Sequence, residues 1–73
     1  MIPQYSIVKL EDWWKDHLTD ADLKQRFGMD DQFFFLGEIP NCPGHCIVLG
    51  FWTGRVYSMY HTENFRLATE DEL

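Results

Sequence analysis

Cys42, His45, Cys46 and His61 are the residues of this chain best suited to hold a metal ion, because thiolate and imidazole are the donors that zinc prefers. Three of them crowd one corner, Cys42-Pro43-Gly44-His45-Cys46, and only His61 follows as a partner. A strong zinc motif pairs two close ligand couples. The plainer reading is therefore a Pro-Gly corner leading into a strand that buries Cys46 as a small hydrophobe. The expectation is no metal and no cofactor, with Cys42, His45, Cys46 and His61 as the alternative site. Catalysis would need Cys42, Cys46 or Ser58 activated by His45 or His61. No nucleophile elbow, Gly-rich phosphate loop or dinucleotide fingerprint accompanies them. A chain of 73 residues also has difficulty building a water-excluding pocket as well as a core. The chain reads as non-enzymatic, with no catalytic residues, and a hydrolase is the least favoured reading.

What His61 can reach depends on a hairpin register. Segments 45–51 and 55–61 read as two strands joined through Trp52-Thr53-Gly54, with Gly54 suited to positive φ. A two-residue turn at Thr53-Gly54 sets Cys46 opposite His61. A three-residue loop ending in a bulge sets His45 there instead and turns Cys46 away. Neither register gathers four ligands. A disulfide between Cys42 and Cys46 is disfavoured in a cytosolic setting.

The remaining elements follow from hydrophobic period and caps. Leu10, Trp13, Trp14, His17 and Leu18 recur at helical spacing, which predicts an amphipathic helix. Thr19 reads as an N-cap for a second short helix carrying Leu23 and Phe27 and ending at Gly28. Residues 33–39 form the first strand of a three-strand antiparallel meander. Tyr5–Lys9 is a candidate lead strand, Phe65–Leu67 a candidate edge strand, and Thr69 to Glu72 a capping box. The expected fold is α+β, a single domain over residues 1–73: two short N-terminal helices packed on a three- or four-stranded antiparallel sheet. Leu10, Trp13, Trp14, Leu18, Leu23 and Phe27 would supply the helix side, and Ile47, Leu49 and Phe51 the sheet side.

Twelve carboxylates against six Lys and Arg give a net charge of −6, which repels phosphate and argues against nucleic acid as a partner. No stretch approaches the length of a membrane span, and the opening residues lack a cationic start followed by an apolar run. A cytoplasmic protein without a membrane partner is expected.

Phe35-Leu36-Gly37-Glu38-Ile39, the Gly44 corner, the apolar strand through Leu49, Gly54-Arg55-Val56-Tyr57 and His61-Thr62-Glu63-Asn64-Phe65 together resemble the sheet of the SUKH superfamily. The likeness covers residues 33–67. It implies an α+β interaction fold of the kind found in bacterial immunity proteins that neutralise toxins by direct binding, with no catalytic residues to carry over. The longer helical lead-in with its Leu-Pro motif and the closing helix of that family are absent here. The chain also looks like the short acidic orphan proteins of bacterial mobile gene cassettes.

The residues themselves point to binding. A strand buried on both faces reads as a continuous apolar run, and His45 to Trp52 is nearly one. Ile47, Leu49 and Phe51 point one way while Cys46, Val48 and Trp52 point the other, and two short helices can cover only one face. The expected function is a protein-interaction module, a homodimer or a binder of another protein. Its candidate interface residues are Phe34, Leu36, Val48, Trp52, Tyr57 and Met59.

Overall fold

The computed structural model describes residues 2–73. Strands β1 (Ile7–Leu10), β2 (Phe33–Glu38), β3 (His45–Gly50), β4 (Val56–His61) and β5 (Phe65–Leu67) form one sheet in the order β4-β3-β2-β1-β5. Every neighbouring pair is antiparallel. The meander β2-β3-β4 and the edge strand at Phe65–Leu67 occur as the sequence predicts. The α+β class holds, but the sheet has five strands where three or four were expected. The added pairing comes from the ends of the chain: Val8, Lys9 and Leu10 of β1 face Leu67, Arg66 and Phe65 of β5.

That pairing also dismantles the predicted first helix. Leu10 is buried in β1, and the Glu11 amide donates to the Asn64 carbonyl at 2.7 Å, so the chain stays extended past the start of the apolar period. What remains is a single turn, α1 (Asp12–Lys15), with no side-chain cap and no buried residue. A helix this short has no stability of its own, and the sheet bonds win. Trp13 is exposed, and Trp14 packs its ring edge-on against Phe27 and Tyr60 at 5.9 and 6.0 Å.

Helix α2 (Asp20–Phe27) begins as predicted, on a capping box in which the Asp22 amide donates to the Thr19 hydroxyl and the Thr19 amide to the Asp22 carboxylate. Gly28 ends it at φ +61, a conformation that costs a side chain energy but not glycine. The only fully buried residue of the helices is Phe27, 1% exposed, with the rings of Phe33, Tyr57 and Tyr60 between 5.3 and 5.4 Å away. The helical layer is thus one aromatic plug flanked by half-buried Trp14 and Leu23, smaller than the six-residue face expected. Truncating that plug to Ala should cost about 3–5 kcal/mol.

Beneath it the inner face of the sheet carries Val8, Leu10, Phe33, Phe35, Cys46, Val48, Tyr57 and Phe65. This reverses the expected assignment for β3, where Ile47 and Leu49 are turned away from the helices. The inter-strand register explains it: Phe35 pairs with Val48 and Val48 with Tyr57, so the aromatic residues of β2 and β4 draw the even-numbered residues of β3 inward.

Candidate interaction face

The opposite face of the sheet is built row by row from cross-strand partners. Ile7 of β1 faces Phe34 of β2, Phe34 faces Leu49 of β3, and Leu49 faces Val56 of β4. Four apolar side chains therefore run in one line across four strands. Ile47 follows on β3, beside Gly37 and Ser58. At the other end Phe51 lies against Phe34 with centroids 5.5 Å apart, and Trp52 stands edge-on to Phe51 at 5.0 Å. Val56 and Trp52 are 64% and 63% exposed, while Ile7, Phe34, Ile47 and Leu49 are half-buried.

Among the expected interface residues, Phe34 lies on this face and Trp52 at its margin. Leu36 is the extra residue of a bulge where β2 shifts register between Phe35 and Gly37, and its carbonyl accepts a hydrogen bond from Gln4 Nε2 at 2.9 Å. Met59 is the corresponding extra residue in β4, exposed and at φ +66. Val48 and Tyr57 are corrected: both are core residues, 0% and 5% exposed. Ile7, Ile47, Leu49 and Val56 take their place. The alternation in β4, exposed Val56 then buried Tyr57 then exposed Ser58, carries the signal that identifies the buried side.

The two edges of the sheet are guarded. The bulge at Met59 bends β4, and β5 is only three residues long before the chain turns away. Both devices discourage strand-to-strand addition. At the β5 end, a 3-10 turn at Glu70–Glu72 closes back on the sheet through the capping box at Thr69. Its Glu72 carboxylate receives both Arg66 guanidinium nitrogens at 2.7 Å, and the Glu72 carbonyl accepts from Gln32 Nε2 at 2.8 Å. The Arg66 fork and the Thr69 amide hold the Glu72 carboxyl down at about 2. A recess of about 300 Å³ beside this turn is lined by Lys9, Lys15, Asp31, Arg66 and Glu72 over apolar Leu10 and Leu23. Its Arg66 and Glu72 neutralise each other.

Of the possible metal and catalytic residues, His45 and His61 come together as direct cross-strand partners, with ring centres 4.5 Å apart. Cys46 does not join them. Its thiol is buried on the inner face and pushed up by that burial, opposed by the Thr62 hydroxyl and helped by the charge of Glu38. Thr62 Oγ1 is itself buried without a well-formed hydrogen bond. Cys42 is half-buried in the corner, and both cysteines are free. No group of three or more His, Cys, Asp or Glu among the described residues is placed to hold a metal ion.

A residue the sequence did not flag is Asp30, a carboxylate only 6% exposed. Its Oδ1 accepts from the Trp52 and Thr53 amides at 2.9 and 3.0 Å. Its Oδ2 accepts from the Tyr57 hydroxyl at 2.8 Å and from the Thr53 hydroxyl. Burial works against its ionisation, but the hydroxyls of Thr53 and Tyr57 and the two amides outweigh that and hold the carboxyl below its usual range. Asp30 thereby fixes the loop that presents Phe51 and Trp52. Gly50 makes room for it, since a Cβ there would stand 2.1 Å from Asp30 Oδ2.

No helix of the described residues is long and apolar enough to cross a membrane. No family model matches the chain, and neither curated proteins nor solved structures yield a match.

Proposed function

We propose that this protein is a non-enzymatic interaction module that associates with a second copy of itself through the outer face of the sheet. The observation that carries the reading is the unbroken line Ile7, Phe34, Leu49 and Val56, continued by Phe51 and Trp52, on the face that the helices do not cover. Guarded edges favour contact through the face, and a twofold axis is the commonest way for one patch to bury itself against a copy. Strand spacing and rise give a patch of about 300–400 Å². That is the size of the largest patch on many monomers, which is often functional. Two such patches bury about 600–800 Å², below the ~1,200 Å² of a stable interface, so the association is weak and reversible. A non-catalytic role is supported by the Cys46 thiol, which burial keeps protonated and out of reach of solvent.

Sedimentation equilibrium over roughly two decades of concentration, from about 5 to 500 µM, tests for a weak and reversible association. The mean mass should rise with concentration, and rise more steeply in high salt, because each copy carries a charge of −6 that opposes approach. Val56→Glu, at a position 64% exposed, should hold the mass at one chain with an unchanged circular dichroism spectrum. A single-chain mass at every concentration and salt level refutes the proposal.

A further inference from the structure

We propose that His45 and His61 form a two-imidazole chelate for an exchangeable divalent transition-metal ion on the outer face of the sheet. Three observations converge on this pair. The two residues are direct cross-strand partners at the end of β3 and β4, so their side chains leave the sheet on the same side. Their rings are 4.5 Å apart between centres and inclined at 39°. The His45 ring nitrogen Nδ1 lies 3.3 Å from the Pro43 carbonyl oxygen. A carbonyl accepts only, so the proton of a neutral His45 is directed to Nδ1 and the lone pair is left on Nε2. Ligating histidines are commonly oriented in this way, by a backbone carbonyl on the nitrogen that does not bind the metal.

The geometry is within reach. An ion held at 2.0–2.1 Å by two imidazoles in a tetrahedral arrangement needs their nitrogens ~3.3 Å apart. With His45 held by the Pro43 carbonyl, the His61 ring can turn about its χ2 bond, which is broad and soft, toward the His45 Nε2 without moving the backbone. The strands fix the two Cα positions, so the chelate loses little freedom on binding. No third His, Cys, Asp or Glu among the described residues completes the shell, so the remaining positions go to water. This sets the chemical class. Imidazole nitrogen suits Cu²⁺, Ni²⁺ and Zn²⁺, with Cu²⁺ the tightest, while Mg²⁺ and Ca²⁺ demand oxygen donors and should not bind here. With only two protein ligands the ion exchanges, and the fold does not depend on it.

The test is a titration of the intact protein with Ni²⁺, which does not oxidise the free thiols, followed by calorimetry and by paramagnetic broadening of amide resonances. One ion per chain is expected, with broadening centred on residues 44–46 and 60–62. His45→Ala and His61→Ala should each weaken binding at least tenfold, since even the groups that orient a ligand are worth ten- to a hundredfold. His17→Ala, at an exposed histidine in the turn after α1, should bind as the unmodified chain does. His45→Gln and His61→Gln serve in place of an alanine variant that does not fold. Affinity unchanged by substitution of either member of the pair, loss of binding in His17→Ala, or equal binding of Mg²⁺ overturns the proposal.

Discussion

Removing the Asp30 carboxylate in two steps separates what its charge contributes from what its shape contributes. In Asp30→Ala the Trp52 and Thr53 amides lose their acceptor, and the Tyr57 hydroxyl retains only the Phe27 carbonyl at 3.0 Å. A hydrogen bond to a charged group is worth about 1.5–3 kcal/mol, but Trp52 and Thr53 are exposed and water replaces part of the loss. The net cost should be about 3 kcal/mol. Asp30→Asn keeps an oxygen for the two amides and turns an NH₂ toward hydroxyls that can rotate to accept, so only the charge is lost. That should cost about 1 kcal/mol. For a domain of this size the corresponding falls in melting temperature are roughly 12–24 °C and 4–8 °C. The folded carboxyl titrates below its unfolded value of about 3.9, so its contribution is complete above that pH and fades as pH falls through the folded value. The gap between the native protein and Asp30→Asn should therefore narrow as pH falls below the unfolded value of about 3.9. Urea denaturation at pH 7, 4 and 2.5 measures all three quantities. Equal costs for the Asn and Ala variants, or a gap that does not change with pH, would refute the account of Asp30 as an ionised hub.

Gly50→Ala should destabilise by at least about 2 kcal/mol in urea denaturation, because the new methyl displaces the Asp30 carboxylate from its four donors; Gly44→Ala, with nothing near its Cβ but a φ of +81, should cost only about 1 kcal/mol. Met59→Gly should leave stability unchanged or raise it slightly, whereas Met59→Val should lower it by about 1–2 kcal/mol, since β-branched residues tolerate φ +66 least. The Glu72 carboxyl is held by the Arg66 fork well under its ordinary 4.5, so the docking of the C-terminal turn is complete above that pH and lost only as pH falls toward 2. The Thr69 amide resonance, whose proton is donated to Glu72, should report that low midpoint.

Much of the β architecture was legible in the residues: the meander, the Pro-Gly corner, the Thr19 and Thr69 caps and the stop at Gly28 all follow from local chemistry. The face of β3 was not. Its residues are apolar on both sides, so their own pattern contains no preference, and the choice is made by Phe35 and Tyr57 on the neighbouring strands. Leu10 was misplaced because it satisfies a helical period and a strand pairing equally well, and its partner Phe65 lies at the far end of the chain. The pairing of His45 with His61 matches one of the two registers the sequence allowed, but by a different route. The loop bond runs from the Gly54 amide to the Gly50 carbonyl, one residue wider than expected, and the extra residue sits at Met59. Asp30 carried no sequence signal, because nothing in the run Met29-Asp30-Asp31 distinguishes a buried carboxylate from a solvated one.

The position of β1 between β2 and β5 has a consequence for how the protein comes to be. The first strand made must wait for the last. During synthesis β1 can pair with β2 on one side, but its other row of backbone groups stays open until residues 65–67 have left the ribosome. Loop closure over nearly the whole chain then completes the sheet and brings in Phe65, whose ring closes the aromatic cluster against Phe33 at 5.7 Å. Until that moment the nascent chain exposes the open edge of β1 and the uncovered aromatics beside it, the state most open to aggregation and to capture by holding chaperones. Folding should accordingly be slow for so small a chain, because its decisive contact is its least local one.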